Sequence, residues 1–88
     1  MNEIDTTTML FLRYKKPIVA LSTIVADYLP HLNEKSARRQ ANTCSLPFPA
    51  FRTSNSTQAE YFVNISDLAM WLEKEQEQAR QDWQAMNS

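Results

Sequence analysis

Three features predict an α+β fold for this chain of 88 residues. Two short helical patterns stand back to back over residues 21–43, and an alternating β pattern with a polar middle follows over 46–65. An unbroken helical pattern then runs over 66–86. A helix pair, a hairpin and a final helix in that order describe a small winged helix-turn-helix with a two-stranded wing. Residues 1–88 suffice for one such domain with one modest core.

The first segment, TTTMLFLRYKK at 6–16, fits two periods. Leu10, Leu12 and Tyr14 alternate as in a strand, whereas Leu10, Phe11 and Tyr14 share a helical face. The helix is the preferred reading, capped by Asp5 or Thr6, and Pro17 ends the segment either way. Leu21, Ile24, Val25, Tyr28 and Leu29 then form the stripe of an amphipathic helix. Ser22 is a suitable N-cap, and Pro30 disfavours helical dihedrals at Leu29. Leu32 plugs the turn.

Asn33 caps a second helix over Glu34–Thr43. Ala37, Ala41 and Cys44 make one small apolar face, on which Cys44 is expected as a buried filler. Lys35, Arg38, Arg39 and Asn42, at i, i+3, i+4 and i+7, make the opposite one. Small residues behind and basic residues in front suit a helix that packs closely on its predecessor and presents cations outward.

Phe48, Ala50 and Arg52 alternate along one expected arm of the hairpin, and Tyr61, Val63 and Ile65 along the other. Pro47 and Pro49 confine the first arm to a sheet edge. Between the arms lies the polar stretch TSNSTQAE, with Asn55 the best candidate for a left-handed residue. Ser66 is expected to cap the last helix, and Asp67 sits where the helix dipole favours an acid. Leu68, Trp71 and Leu72 anchor its first half, and Ala79, Trp83 and Met86 continue a thin stripe to its end.

Composition removes several functions. The chain has no Gly, so phosphate-cradling glycine loops are excluded. One cysteine, Cys44, cannot form an internal disulfide, and with His31 as sole histidine a structural zinc site lacks ligands. There is no acid/base pair, nucleophile with a histidine partner or metal set, so neither enzyme activity nor a cofactor is expected. The N-terminal segment lacks a basic region before its apolar run, and no run approaches membrane-spanning length. No membrane association and a cytoplasmic location are the expectations. Charge is uneven: residues 1–52 balance to +3 and residues 53–88 to −4, which together give the net −1. One basic face and one acidic face follow.

The motifs resemble those of the pyocin activator protein (PrtN) family, small phage- or bacteriocin-associated transcriptional activators. The likeness runs through MLFLRYKKPIVAL, IVADYL, Ala37-Arg38-Arg39-Gln40-Ala41, LPFPAFR, Ser56 to Ala59 and VNISDL, roughly residues 9 to 75. It implies a DNA-binding activator of prophage or bacteriocin genes. The wing departs from the family's pattern: where the family tends to have Ser-Gln-Lys, this chain has Ser56-Thr57-Gln58 and lacks the lysine. The hairpin and following helix also resemble those of the AlpA group and other excisionase-like proteins, and the overall plan is MerR/excisionase-like. That likeness keeps a second role open, a recombination factor that bends attachment-site DNA. A third is a protein-interaction module without DNA contact, which the acidic C-terminal half and the missing lysine favour.

For double-stranded DNA the expected contacts are specific. Arg38 or Arg39 reaches guanine and Asn42 adenine, while Lys35 and Ser36 near the helix start suit phosphates. Arg52 either braces its strand or reaches the backbone, and Ser56, Thr57 and Gln58 supply neutral donors at the wing tip. The bland alternative is a solvated helix and a hydrophilic hairpin tip, and His31 is read as structural or exposed. Ala79, Trp83 and Met86 either fold back on the core or join a second copy into a homodimer reading paired half-sites. The acidic run Glu73, Glu75, Glu77 is a solvated face or, in an activator, a contact for RNA polymerase.

Overall fold

The computed structural model of the chain describes residues 5–56 and 59–87. Among the described residues seven elements follow in order: α1 (Thr6–Tyr14), β1 (Ile18–Ala20), α2 (Leu21–Tyr28), α3 (Glu34–Asn42), β2 (Phe51–Arg52), β3 (Tyr61–Asn64) and α4 (Ile65–Asn87). The fold is α+β, with four helices and a three-stranded antiparallel sheet in the order β1-β3-β2.

The first segment is a helix, and Asp5 caps it: its Oδ1 accepts the Thr8 N–H at 2.7 Å. It stops before Pro17, at Lys15, whose backbone turns left-handed (φ 63°) and whose N–H returns to the Phe11 carbonyl. β1 is an addition to the expected two-stranded sheet. Three residues after a proline are too short for a period to show, yet they pair with β3 in register Ile18↔Asn64, Val19↔Val63 and Ala20↔Phe62. The Ile65 N–H, donating to the Pro17 carbonyl at 2.9 Å, extends that ladder. β3 is thus the central strand, flanked by β2 through Phe51↔Phe62 and Arg52↔Tyr61.

Two expected caps are corrected. α2 follows β1 without a break, so Ala20 holds the cap position without a side-chain bond, and the Ser22 hydroxyl donates to Glu60 Oε1 at 3.1 Å. α4 starts at Ile65, and Asn64, rather than Ser66, supplies the side-chain oxygen that takes the Ser66 N–H at 2.8 Å. Ile65 accordingly belongs to the helix and not to the strand. Asn33 caps α3 as expected, its Oδ1 accepting the Ser36 N–H at 2.7 Å.

Cys44 is also corrected. It is exposed and left-handed (φ 56°), one residue past the α3 cap at Thr43. The Ser45 N–H reaches back to the Gln40 carbonyl at 2.8 Å, the long closing bond of a helix terminus that glycine usually provides. A chain without glycine bears the left-handed cost on a side chain with a Cβ.

The core joins all layers. Leu10, Val19, Ile24, Ala37, Val63 and Leu68 are buried together. Ala37 and Ala41 form the buried back of α3, as their small size predicts. Phe48 does not enter a strand; it is buried with its ring edge-on to Trp71, centroids 5.3 Å apart. Tyr14 and Arg13 tie α1 to α2 through Asp27, the Tyr14 hydroxyl donating to Oδ2 and the guanidinium lying 3.1 Å away. Past Leu72, α4 is exposed to its end, with Trp83 at 66% and Met86 at 84% exposure. Neither folds back on its own core. No helix among the described residues is long and apolar enough to cross a membrane.

Replacing Cys44 by Gly should raise stability by about 0.5–1 kcal/mol, because the left-handed penalty exceeds the added chain entropy; urea unfolding measures it. Acid stability tests the Asp27 tie. The Tyr14 hydroxyl holds the Asp27 carboxyl below its usual range. Its contribution is therefore complete above the unfolded value of about 3.9 and is lost as pH falls through the lower folded value. Tyr14→Phe should raise the Asp27 pKa and flatten the fall in melting temperature below about pH 4.

Candidate nucleic-acid interface

The alternation of β3 turns Tyr61 and Val63 toward the core, so Tyr61 is 6% exposed and lies against the side of α3. Its hydroxyl donates to Asn42 Oδ1 at 2.8 Å. Two guanidinium groups lie over its ring: Arg52 from β2, with Cζ 5.2 Å from the centroid, and Arg38 from α3, at 5.7 Å. Each such contact contributes about 0.5–1 kcal/mol where solvent reaches it. Tyr61 thereby collects residues from a helix and a hairpin on one surface.

Both arginines also hold the hairpin backbone. Arg38 Nη1 donates to the Ala59 carbonyl at 3.0 Å, and Arg52 Nη1 to the Ser56 carbonyl at 3.3 Å. Arg52 therefore braces its own hairpin, one of the two roles expected for it. Arg38 departs from the simple helical wheel: it is half-buried and leans toward the hairpin instead of pointing straight outward. Arg39 and Lys35 are exposed on the outer side of α3. Ser36, near the α3 start, is half-buried, and its N–H is taken by the Asn33 cap.

Arg38, Arg39, Asn42, Arg52 and Tyr61 together line a shallow depression of about 240 Å³. Three guanidinium groups around one depression form a concentrated positive surface on a chain of net charge −1. Anionic oxygens are the matching ligand chemistry. Ser56 is exposed beside this surface, whereas Thr57 and Gln58 lie outside the described residues.

A second groove, of about 360 Å³, lies between α2 and α3 on the other side of Arg38. Glu34 and Glu60 stand on its rim beside apolar Leu21, Val25 and Leu32. Its carboxylates disfavour a polyanion, so the cationic surface is bounded by the α3 start and the end of the hairpin loop. Sequence reasoning named Lys35, Arg38, Arg39, Asn42 and Arg52 around the depression and on the outer side of α3, but not Tyr61. An aromatic hydroxyl at an inward strand position opposite a basic helix was the available signal.

The family model for pyocin activator protein PrtN matches residues 6–79, from the start of α1 into the exposed half of α4. Comparison with curated proteins and with solved structures finds no match.

Tyr61→Phe should keep the ring beneath both arginines and lose only the Asn42 bond, at a cost of about 1 kcal/mol. Tyr61→Leu should also release the arginines, with their Nε–H resonances moving toward those of solvent-exposed arginine. Nuclear magnetic resonance and urea unfolding of the two variants measure both effects.

Proposed function

The chain belongs to the pyocin activator protein PrtN family, and we propose that it is a sequence-specific DNA-binding activator of prophage or bacteriocin genes. In this reading α2 and α3 are the helix-turn-helix, α3 is the recognition helix, and the β2–β3 hairpin is the wing. The observation that carries it is the joining of α3 and the hairpin through Tyr61 into one arginine-rich surface. A solvated helix face has no need of that brace.

The roles follow from exposure. Arg39 is exposed and reads a base edge, guanine being the natural partner of a guanidinium. Lys35 and Ser36 take phosphates near the α3 N-terminus. Arg38 and Arg52, held on Tyr61, present charge to the DNA backbone from a fixed position. Asn42 is committed to Tyr61 and sets the α3–hairpin angle, because a bidentate contact with adenine would compete for the same Oδ1. Ser56, Thr57 and Gln58 are neutral by sequence and contribute hydrogen bonds without charge. Such a regulator works in the cytoplasm, on the chromosome.

Footprinting on the DNA upstream of its own gene and of neighbouring genes tests the reading. Arg39→Ala should cost about 1–3 kcal/mol at the protected site and relax the preference at one base pair. Lys35→Ala should weaken all duplexes alike and flatten the salt dependence by about one unit. Unchanged affinity in the Arg38/Arg39 double alanine variant, with its circular dichroism intact, would remove the recognition-helix assignment.

A further inference from the structure

The free end of α4 has a direction as well as a length. Leu68 and Ala69 are buried and Leu72 is partly buried against the body of the domain. At 100° per residue, Gln76, Ala79, Trp83 and Met86 all fall within about 40° of the Leu72 direction. The exposed stripe is therefore the core-facing side of α4 continued past the end of its own core. It repeats with the 3-4-3 spacing of a two-stranded seam.

We propose that a second copy of this chain covers that stripe, with the two α4 helices antiparallel. Seam helices lie about 8–10 Å apart, and each α4 carries its own body on the seam side. A parallel pair would place both bodies between the helices, although the whole molecule measures 17 Å across even in its thinnest direction. The antiparallel pair instead sets each body just past the end of the other copy's helix.

Side-chain size favours the same arrangement. Antiparallel layers set Trp83 of each copy against Ala79 of the other, a large residue on a small one. Parallel layers would oppose tryptophan to tryptophan and alanine to alanine. Charge points the other way, since a parallel pair would bring Glu75 near Arg80, whereas the antiparallel pair brings Arg80 near Arg80 and Asp82 near Asp82. Exposed pairs of this kind shift affinity only about twofold each. They do not offset excluded volume.

The inference is independent of the DNA reading, and its test uses no DNA. The seam is short, so the expected dissociation constant is on the order of 10 µM, with Trp83→Ala at least about tenfold weaker. Sedimentation velocity measures both. A wild type that stays monomeric on the order of 100 µM, or an unchanged Trp83→Ala variant, overturns the dimer. Orientation is read by disulfide trapping in a Cys44→Ser background, which removes the exposed native thiol. Gln76→Cys and Met86→Cys chains, mixed under mild oxidation, should cross-link to each other, and Met86→Cys alone should not dimerise covalently. A Met86→Cys homodimer, or no cross-link in the mixture, overturns the antiparallel arrangement.

Discussion

Tyr61 is the residue on which the candidate site depends. It opens the central strand, packs into the core, and spends its hydroxyl on Asn42 of α3. Its ring also meets Arg38 and Arg52, which in turn hold the hairpin backbone at Ala59 and Ser56. Without it, α3 would be held mainly by the small buried faces of Ala37 and Ala41, and the hairpin by two residue pairs with β3. A two-residue strand gives little stability of its own. The polar clamp thus fixes the angle between helix and hairpin.

The same surface shows how a slightly acidic chain can still present concentrated positive charge. Affinity for a polyanion follows local charge more than net charge. Arginines are concentrated where α3 meets the hairpin, whereas Glu34 and Glu60 stand on the α2–α3 groove rim and Asp67, Glu73, Glu75, Glu77 and Asp82 lie on α4. Arginine suits the clamp better than lysine, because its planar group stacks on the ring while its N–H groups reach carbonyl oxygens.

Much of this was legible in the sequence, for identifiable reasons. α2, α3 and α4 carry full helical periods, and Asn33 and Asp5 are side chains whose capping chemistry is local. The basic side of α3 followed from spacing alone. What escaped was non-local or too short for periodicity. β1 has three residues and is defined by its partner β3. Ser22 and Ser66 look like caps, but strand-to-helix junctions leave those positions inside the first turn. Cys44 follows the alanine face by angle, yet the helix ends before reaching it, and a glycine-free chain must place a residue with a Cβ in the left-handed turn. Arg38 was assigned from a helical wheel, which does not include a carbonyl on the neighbouring hairpin.

We propose that α3 and the hairpin form one DNA-facing surface. Amide and arginine side-chain resonances followed during titration with a duplex containing the footprinted site test it most directly. Perturbations should cluster on Lys35, Arg38, Arg39, Asn42, Arg52 and Tyr61, while the α2–α3 groove rim at Glu34 and Glu60 should change little. Perturbations centred on that groove or on the acidic stretch of α4, with Arg39 and Arg52 unmoved, would contradict it.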